Sequence, residues 1–419
     1  MSRVASARPR EPLAGEWKVA MLGLALALVG WWTHAILIAM GGAVVAVTAA
    51  ALRIWQRESL TGVSYRRHLD HDRASFGEHV TLELQFVNDK LLPLTWLHVD
   101  DEVPAGLTIT GATVLADVSD RPGHLHHVVP MLPYQRVRRR LTVVCDQRGW
   151  HRFGPAELVS GNPAAYQENR RPAGVIDRLL VYPKVFRLDP TGIASRVPIG
   201  DLRATQRLFG DPTRILGVRR YEPGDPLRHI DWRASARSDE LLVRVFEPTT
   251  ALRVAVFVDV ALPQVRRGLR SPDELEFLLA VAASWISALA EQGVAVGLYS
   301  PAMVDGQQIA AVPTSSPGAL ADLLELLARA TAWGSWAFGP TLVDEAGRLP
   351  SGTSVLVIAP HFPEATLVAV QEVRRRLPVS AVWVDCGRGG EPPADLVERS
   401  WHVTYGEDWK QRETLDLAG

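Results

Sequence analysis

Three adjoining stretches decide the fold of the C-terminal half: LRVAVFVD at Leu252–Asp259, SPDELEFLLAVAASWISALAEQG at Ser271–Gly293, and VAVGLYS at Val294–Ser300. The first is a near-continuous apolar run, as a strand buried on both faces requires. The second has helix punctuation, with Ser271 as N-cap, Pro272 at the first position, acids in the first turn and Gly293 at the end. Its apolar stripe runs through Leu275, Leu278, Leu279, Ala282, Ile286 and Leu289. The third is a strand. The alternation continues with ALADLLELLARA as a helix, SVLVIAP as a strand, LVAVQEVRRRL as a helix, VSAVWVD as a strand and WHVTYG as a last edge strand. This pattern predicts an α/β doubly wound domain with a mostly parallel sheet over 249–419. Ligands meet such sheets at the carboxyl ends of the strands. The sequence puts Asp259, His361 and Asp385 there.

Upstream lies a connector, 170–248. LLVYPKVFRL reads as a strand, and the polar, Gly/Pro-punctuated stretch from Thr191 to Leu216 as an irregular or mobile loop. The connector ends in VRRYEPGDPLRHIDWRASAR, Val218–Arg237, which is crowded with charge. Pro223-Gly224-Asp225-Pro226 reads as a turn feeding a short helix, with Asp225 as N-cap and Pro226 as its first residue. Leu227, Ile230 and Ala234 then share a face, Arg228 can pair with Asp231, and Arg228 can stack on Trp232. ELLVRVFE returns as a strand with Leu241, Val243 and Val245 on one side.

Catalysis is a poor reading of this motif. Asp225 and Asp231 are six residues apart and share no helix face, and the surrounding arginines favour their ionised forms. His229 has no serine, cysteine or threonine placed for it, and no P-loop, GxSxG or HExxH occurs anywhere. Two compatible readings remain for Arg219, Arg220, Tyr221, Gly224, Asp225, Arg228, Asp231, Trp232, Arg233 and Arg237. One is a network that locks the connector onto the α/β domain. The other is a docking surface, since Arg, Tyr and Trp carry interface energy.

The region 58–169 reads as a β-sandwich, immunoglobulin-like in size. HVTLELQFVN alternates, with Val80, Leu82, Leu84 and Phe86 on one face and Thr81, Glu83 and Gln85 on the other. RRLTVVCD is a further strand. In the cluster His124, His126, His127, strand alternation puts the first two on one face and the third on the other. With no carboxylate or cysteine nearby in sequence, metal binding is not expected there.

From Val19 to Leu52 there is no Asp, Glu, Lys or Arg. A single helix of that length would rise about 50 Å, far beyond a hydrocarbon core of about 30 Å. Two transmembrane helices of about sixteen residues, roughly 24 Å each, are expected within 1–57, turning at Trp31, Trp32 and His34. Arg3, Arg8, Arg10 and Lys18 precede the run and Arg53, Arg57, Arg66 and Arg67 follow it. Basic flanks on both sides put both ends in the cytoplasm, in a multi-pass inner-membrane protein. A signal peptide is disfavoured, because the run is too long.

The 419 residues allow two or three domains, and 47% apolar residues supply ample core. A net charge of −1 offers no global field for nucleic acid. Two distant cysteines, Cys145 and Cys386, exclude a disulfide framework and a cysteine-rich zinc site.

GVRRYEPGDPLRHIDWRASARSDELLVRVFE strongly resembles the signature of the domain-of-unknown-function family fifty-eight. FGEHVTLELQFVN, QRGWHRFGPAEL, VYPKVF and the membrane segment extend the resemblance. It implies a membrane-anchored protein with a von Willebrand factor type A-like C-terminal domain that acts with a MoxR-type AAA+ ATPase in maturing or assembling other proteins. Type A domains often hold Mg²⁺ with an Asp-x-Ser-x-Ser loop, a Thr and a later Asp. Here Asp259 stands, Ala261 and Pro263 replace the serines, Pro360-His361 falls where an Asp is expected, and Thr341 takes the Thr position. Such remnants predict no metal. The expected function is therefore a membrane-tethered non-enzymatic adaptor with no cofactor. The alternatives are a ligand- or Mg-binding module on the α/β domain and a hydrolase built on His229 or His361.

Overall fold

The alternation in HVTLELQFVN becomes a strand in which Val80, Leu82, Leu84 and Phe86 are fully buried. The computed structural model describes residues 16–111, 114–115, 123–163, 168–174, 176–188, 210–221, 230–238, 240–248, 252–260, 272–331, 337–387 and 395–417. The chain divides into two units, Met1–Val181 and Tyr182–Gly419.

The first unit begins with two apolar helices, α1 (Glu16–Trp32) and α2 (Ile36–Glu58). They pack side by side through small residues: a Cβ on Gly23 would lie 2.7 Å from the backbone nitrogen of Ala46, and Gly42 abuts Ala27 as closely. Among the described residues, only α2 is long and apolar enough to cross a membrane. At 23 residues it exceeds the expected sixteen, because it runs past the apolar stretch through Arg53, Trp55 and Arg57. The extension docks on the strands that follow. Gln56 donates to Asn169 Oδ1 (3.2 Å) and accepts from the Asn162 N–H (2.8 Å). Lys90 Nζ donates to the carbonyls of Glu58 (2.7 Å), Ser59 (2.5 Å) and Thr61 (2.8 Å), and Arg171 donates to those of Leu60 and Val63.

Among the described residues, twelve strands follow: β1 (Val63–Leu69), β2 (Arg73–Ala74), β3 (His79–Asn88), β4 (Leu97–Val103), β5 (Thr108–Thr110), β6 (Val114–Leu115), β7 (Gly123–Val128), β8 (Arg136–Val144), β9 (Gly149–Phe153), β10 (Ala156–Gly161), β11 (Glu168–Ala173) and β12 (Asp177–Val181). They form antiparallel sheets of order β1-β3-β8-β5 and β11-β10-β4-β7-β6, with a small third sheet β2-β12-β9. The arrangement is β-sandwich-like, with a shared apolar core from Val80, Leu84, Leu97, Val99, Leu125 and Leu158. One polar knot lies inside it. Asp101 is fully buried and accepts from Tyr65 Oη (2.6 Å) and Arg67 Nη1 (2.5 Å), while Arg67 Nε reaches Asp177 (2.8 Å). Every charge is paired, as such burial requires.

The second unit contains β13 (Arg187–Leu188), β14 (Gly210–Arg220), α3 (Trp232–Ser235), β15 (Leu242–Pro248), β16 (Arg253–Val258), α4 (Pro272–Glu291), β17 (Ala295–Val304), β18 (Gln307–Thr314), α5 (Ala319–Arg329), α6 (Phe338–Arg348), β19 (Thr353–Ala359), α7 (Glu364–Arg374), β20 (Val379–Asp385), β21 (Ser400–Thr404) and β22 (Thr414–Leu415). A six-stranded sheet of order β18-β17-β16-β19-β20-β21 is parallel except for β18, so the sheet is mixed. α6 and α7 pack on the face that carries Ala255, Phe257, Val355, Val357 and Ala381. α4 is buried nearly all round rather than along one stripe. Phe277 meets Phe186, Tyr405 and Trp409, which lie outside the six-stranded sheet, while Trp285 meets Trp401 on β21, so α4 has cover from flanking segments as well as from the sheet. Part of the stretch read as an irregular loop, Gly210–Leu216, belongs to β14, which pairs with β15. Register shifts beside Ile215 accommodate Pro212, which has no N–H to give a ladder.

His127 faces the β-sandwich core and is 3% exposed, with its ring edge-on to Phe86 and Nδ1 3.0 Å from Arg139 Nη1. Burial, then Arg139 and His126, push its pKa from 6.5 down to about 4. The unfolded chain therefore binds a proton here that the folded chain refuses. This group's stabilisation is complete above pH 6.5 and is lost as pH falls towards 4. We expect denaturant melts to show a loss of about 2 kcal/mol from this group across that window, once solvent screening is allowed for. His127→Gln should flatten the difference. Parallel pH profiles for the two proteins would refute the assignment.

Candidate functional site

Asp231 organises the described part of the arginine-rich motif. Its Oδ1 accepts from the backbone N–H groups of Arg233 (3.1 Å) and Ala234 (3.0 Å), so it is the N-cap of α3. Its Oδ2 accepts from Arg244 Nε on β15 (3.0 Å). The Ala234 N–H and Arg244 together hold the carboxylate below its usual range. Of the helix expected from Pro226 through Ala234, residues 226–229 lie outside the described residues, and the rest is corrected. Ile230 is buried and bridges Val243 as a β residue, Asp231 is the cap, and the described helix starts at Trp232. The cause is local: Asp231 satisfies the first helical N–H groups, while Ile230 is drawn to the strand.

The other motif residues take different places. Arg219 and Arg220 are exposed on β14, opposite Val243 and Leu242, and Arg220 Nε lies 2.5 Å from Glu240. Tyr221 is half-buried, and its N–H donates to the Leu241 carbonyl (2.8 Å). Arg233 and Arg237 are exposed. Trp232 is 66% exposed, with Val218 and Leu241 also exposed nearby in the fold. Gly224, Asp225, Arg228 and His229 lie outside the described residues, as do Ala261 and Pro263.

At the sheet edge, strand order reverses between β16 and β19, so their carboxyl ends form the switch-point crevice. Asp259 follows β16 and is 2% exposed, with its N–H donating to Ile358 on β19 (2.9 Å). Thr341 sits in α6, where its hydroxyl donates to Ala337 (3.1 Å) and accepts from Gln308 Nε2 (2.9 Å). Phe338, Leu342 and Ala346 are the buried side of that helix, at a spacing of four that the sequence displays. Asp385 accepts from the Gly387 N–H (2.7 Å) and lies 3.4 Å from His402, whose ring stacks on Trp383. Among the described residues, no group of three His, Cys, Asp or Glu side chains is already arranged around a metal position.

A second polar group, on the first unit, was not anticipated as a group. The alternation read for His124, His126 and His127 holds, but β4 supplies the carboxylate that sequence proximity did not. Asp100 Oδ1 lies 3.0 Å from His124 Nδ1 and 3.5 Å from His126 Nδ1. Strand pairing across β4 and β7 creates this neighbourhood.

The geometry separates two roles in the arginine-rich motif. Asp231→Ala should lower the denaturation midpoint, through loss of the cap and of the Arg244 pair. Trp232→Ala should leave stability within about 0.5 kcal/mol, as an exposed substitution does. A large loss of stability on truncating Trp232, in a denaturant melt, would show that the ring is buried in solution.

Residues 217–341 match the family model described as Protein of unknown function DUF58, which supports the resemblance carried by the motif. The chain is 22% identical over 246 residues to the Uncharacterized protein YeaD of Bacillus subtilis (strain 168), covering 56% of this chain. The match spans about half of that relative, 54% of its length. Solved structures similar to parts of the chain include the CARDB domain of a Pyrococcus furiosus protein in complex with di-metal ions (11% identity, 28% of this chain, 86% of that one, TM-score 0.20). A cohesin module from a Clostridium perfringens family 33 glycoside hydrolase is another (12% identity, 29% of this chain, 97% of that one, TM-score 0.21). At these TM-scores neither carries an argument about fold or function.

Proposed function

We propose that this chain is a membrane-tethered, non-enzymatic adaptor that binds protein partners, a MoxR-type AAA+ ATPase and its client, in protein maturation or assembly. In this reading α1 and α2 form a transmembrane hairpin in the inner membrane, the strands of the first unit form an immunoglobulin-like sandwich, and the mixed-sheet unit is von Willebrand A-like. Both soluble units face the cytoplasm.

The observation that carries the reading is the outward placement of Trp232 at 66% exposure, on a helix whose start is fixed by Asp231, amid exposed Arg219, Arg220, Arg233 and Arg237. Trp and Arg dominate the energy of protein interfaces. A cluster of guanidinium groups favours an acidic partner face. The Asp231 carboxylate is committed to a cap and an ion pair, and Glu240 is paired with Arg220, which suits holding rather than proton transfer. A Mg²⁺ module is the weaker reading, because the hydroxyl of Thr341 is already engaged on both sides.

Support for the tether comes from the exposed apolar side chains along both helices, among them Leu22, Leu28, Trp31, Trp32, Leu37 and Val47. Water disfavours such a surface and hydrocarbon does not. Close glycine contacts between the helices suit packing in lipid, where small residues drive association. α1, at 17 residues or about 25 Å, needs slight bilayer thinning. Trp31 and Trp32 suit the far interface.

Co-purification from detergent tests the adaptor role. An AAA+ protein encoded beside this chain should be enriched over a tag-only control, and Trp232→Ala with Arg219→Glu should reduce that enrichment at least tenfold. No enrichment, with or without nucleotide, would remove the reading. The tether is tested separately with alkaline phosphatase fusions: a junction after His34 should be active and one after Gly419 inactive. The reverse pattern would place the soluble units outside the cell.

A further inference from the structure

We propose that the outer face of the β-sandwich binds a transition-metal ion of the zinc class, with His98, His126 and Asp100 as ligands and His124 beside them. The proposal stands apart from the adaptor reading, since it concerns the first unit and needs no partner.

Strand alternation brings the residues together. β4 turns His98, Asp100 and Glu102 outward and Leu97, Val99 and Asp101 inward. β7 turns His124 and His126 to the same outer face. The register sets Asp100 opposite His126 and Glu102 opposite His124. His98 is opposite Val128, and so stands diagonally next to His126. Residues far apart in sequence thereby become neighbours on one sheet surface.

The side chains as they stand do not enclose an ion position, but two donor pairs are close to ligand separations. His98 Nε2 is 3.2 Å from His126 Nδ1, and His126 Nδ1 is 3.5 Å from Asp100 Oδ1. Four-coordinate zinc at its usual bond lengths separates adjacent ligand atoms by about 3.4 Å. His124 Nδ1, 3.0 Å from the same carboxylate oxygen, is placed to orient it or to serve as a fourth ligand. Neutral imidazoles with one carboxylate suit zinc, copper and nickel, whereas Mg²⁺ and Ca²⁺ take oxygen ligands. The imidazoles of His98 and His126 now lean on each other. Closing the site requires rotation of these side chains.

An entry path exists. His98 and Asp100 line a cleft of about 380 Å³ together with Trp96, Glu157 and Arg170. Arg170 pairs with Glu157 at 3.2 Å and Glu168 at 3.0 Å, so its charge is already offset and does not stand against a cation at Asp100.

The test uses tag-free full-length protein in detergent, stripped with chelator and titrated calorimetrically with Zn²⁺. One saturable ion per chain is expected. His98→Gln and His126→Gln should each weaken binding at least tenfold, His124→Gln should weaken it less, and Asp259→Ala should leave it unchanged. Because these histidines are solvent-facing, thermal melts of the variants should match the parent. Co²⁺ on the unaltered protein gives a second readout, the intense visible bands of a four-coordinate site. No saturable Zn²⁺ binding, binding indifferent to both His98→Gln and His126→Gln, binding lost in Asp259→Ala, or Co²⁺ bands absent would each overturn the proposal.

Discussion

The carboxyl end of α2 is gripped rather than tethered. Helix ends leave their last carbonyls without partners. Here Asn169 takes the Gln56 carbonyl, Lys90 takes those of Glu58, Ser59 and Thr61, and Arg171 takes those of Leu60 and Val63. The donors come from distant parts of the β-sandwich-like unit, so the helix can leave this geometry only by breaking several bonds together. β1 starts at Val63, leaving no length of chain to act as a hinge. A displacement of α2 is therefore carried into the strands, with the helix as a stalk. Partial burial pushes the Lys90 ammonium down to about 8, opposed by the Glu58 carboxylate and reinforced by Arg171.

The same economy of polar groups governs the arginine-rich motif. A carboxylate has four acceptor directions, and Asp231 uses them for two backbone donors and one guanidinium. Asp231 satisfies the helix start and ties it to β15, while Trp232, Arg233 and Arg237 stay exposed. An arginine-rich, aromatic surface on a fixed helix start is preorganised, so little ordering opposes association. At the sheet edge the opposite holds: the Thr341 hydroxyl and the Asp385 carboxylate are both turned to structural bonds.

Much of the architecture was legible wherever one period ran undisturbed. HVTLELQFVN has period two, and its inward set is the buried set. Gly293 ends α4 in the left-handed region as read. What escaped was structure signalled by turns or by distant pairing. Asp305-Gly306, both at positive φ, is a hairpin signal that pairs β17 with β18, yet the flanking residues were too weakly patterned to attract notice. Gly210–Leu216 looked irregular because a bulged strand with proline breaks both periodicity and composition rules. The extension of α2 past Leu52 is not legible in the sequence, because Gln56 and Ser59 bond to strands that sequence cannot place beside it.

The histidine triplet shows most sharply how register decides chemistry. His126 and His127 are adjacent, yet a strand sends them to opposite solvents. His127 meets Phe86 and the Arg139 guanidinium in a dry core, where protonation is penalised. His126 meets His98 and Asp100 at a wet surface, where nitrogen lone pairs stay within reach of a cation and of exchangeable water. Shifting β7 by one residue would exchange these roles: the carboxylate of Asp100 would face a residue turned to the core, and two imidazoles would be buried in place of one. The inward set Leu125 and His127 is held by the core against Phe86 and its neighbours, so the packing of the apolar side fixes what the polar side presents. A surface of this kind is a consequence of core complementarity. No amount of local pattern around residues 124–127 could disclose it without the partner strand.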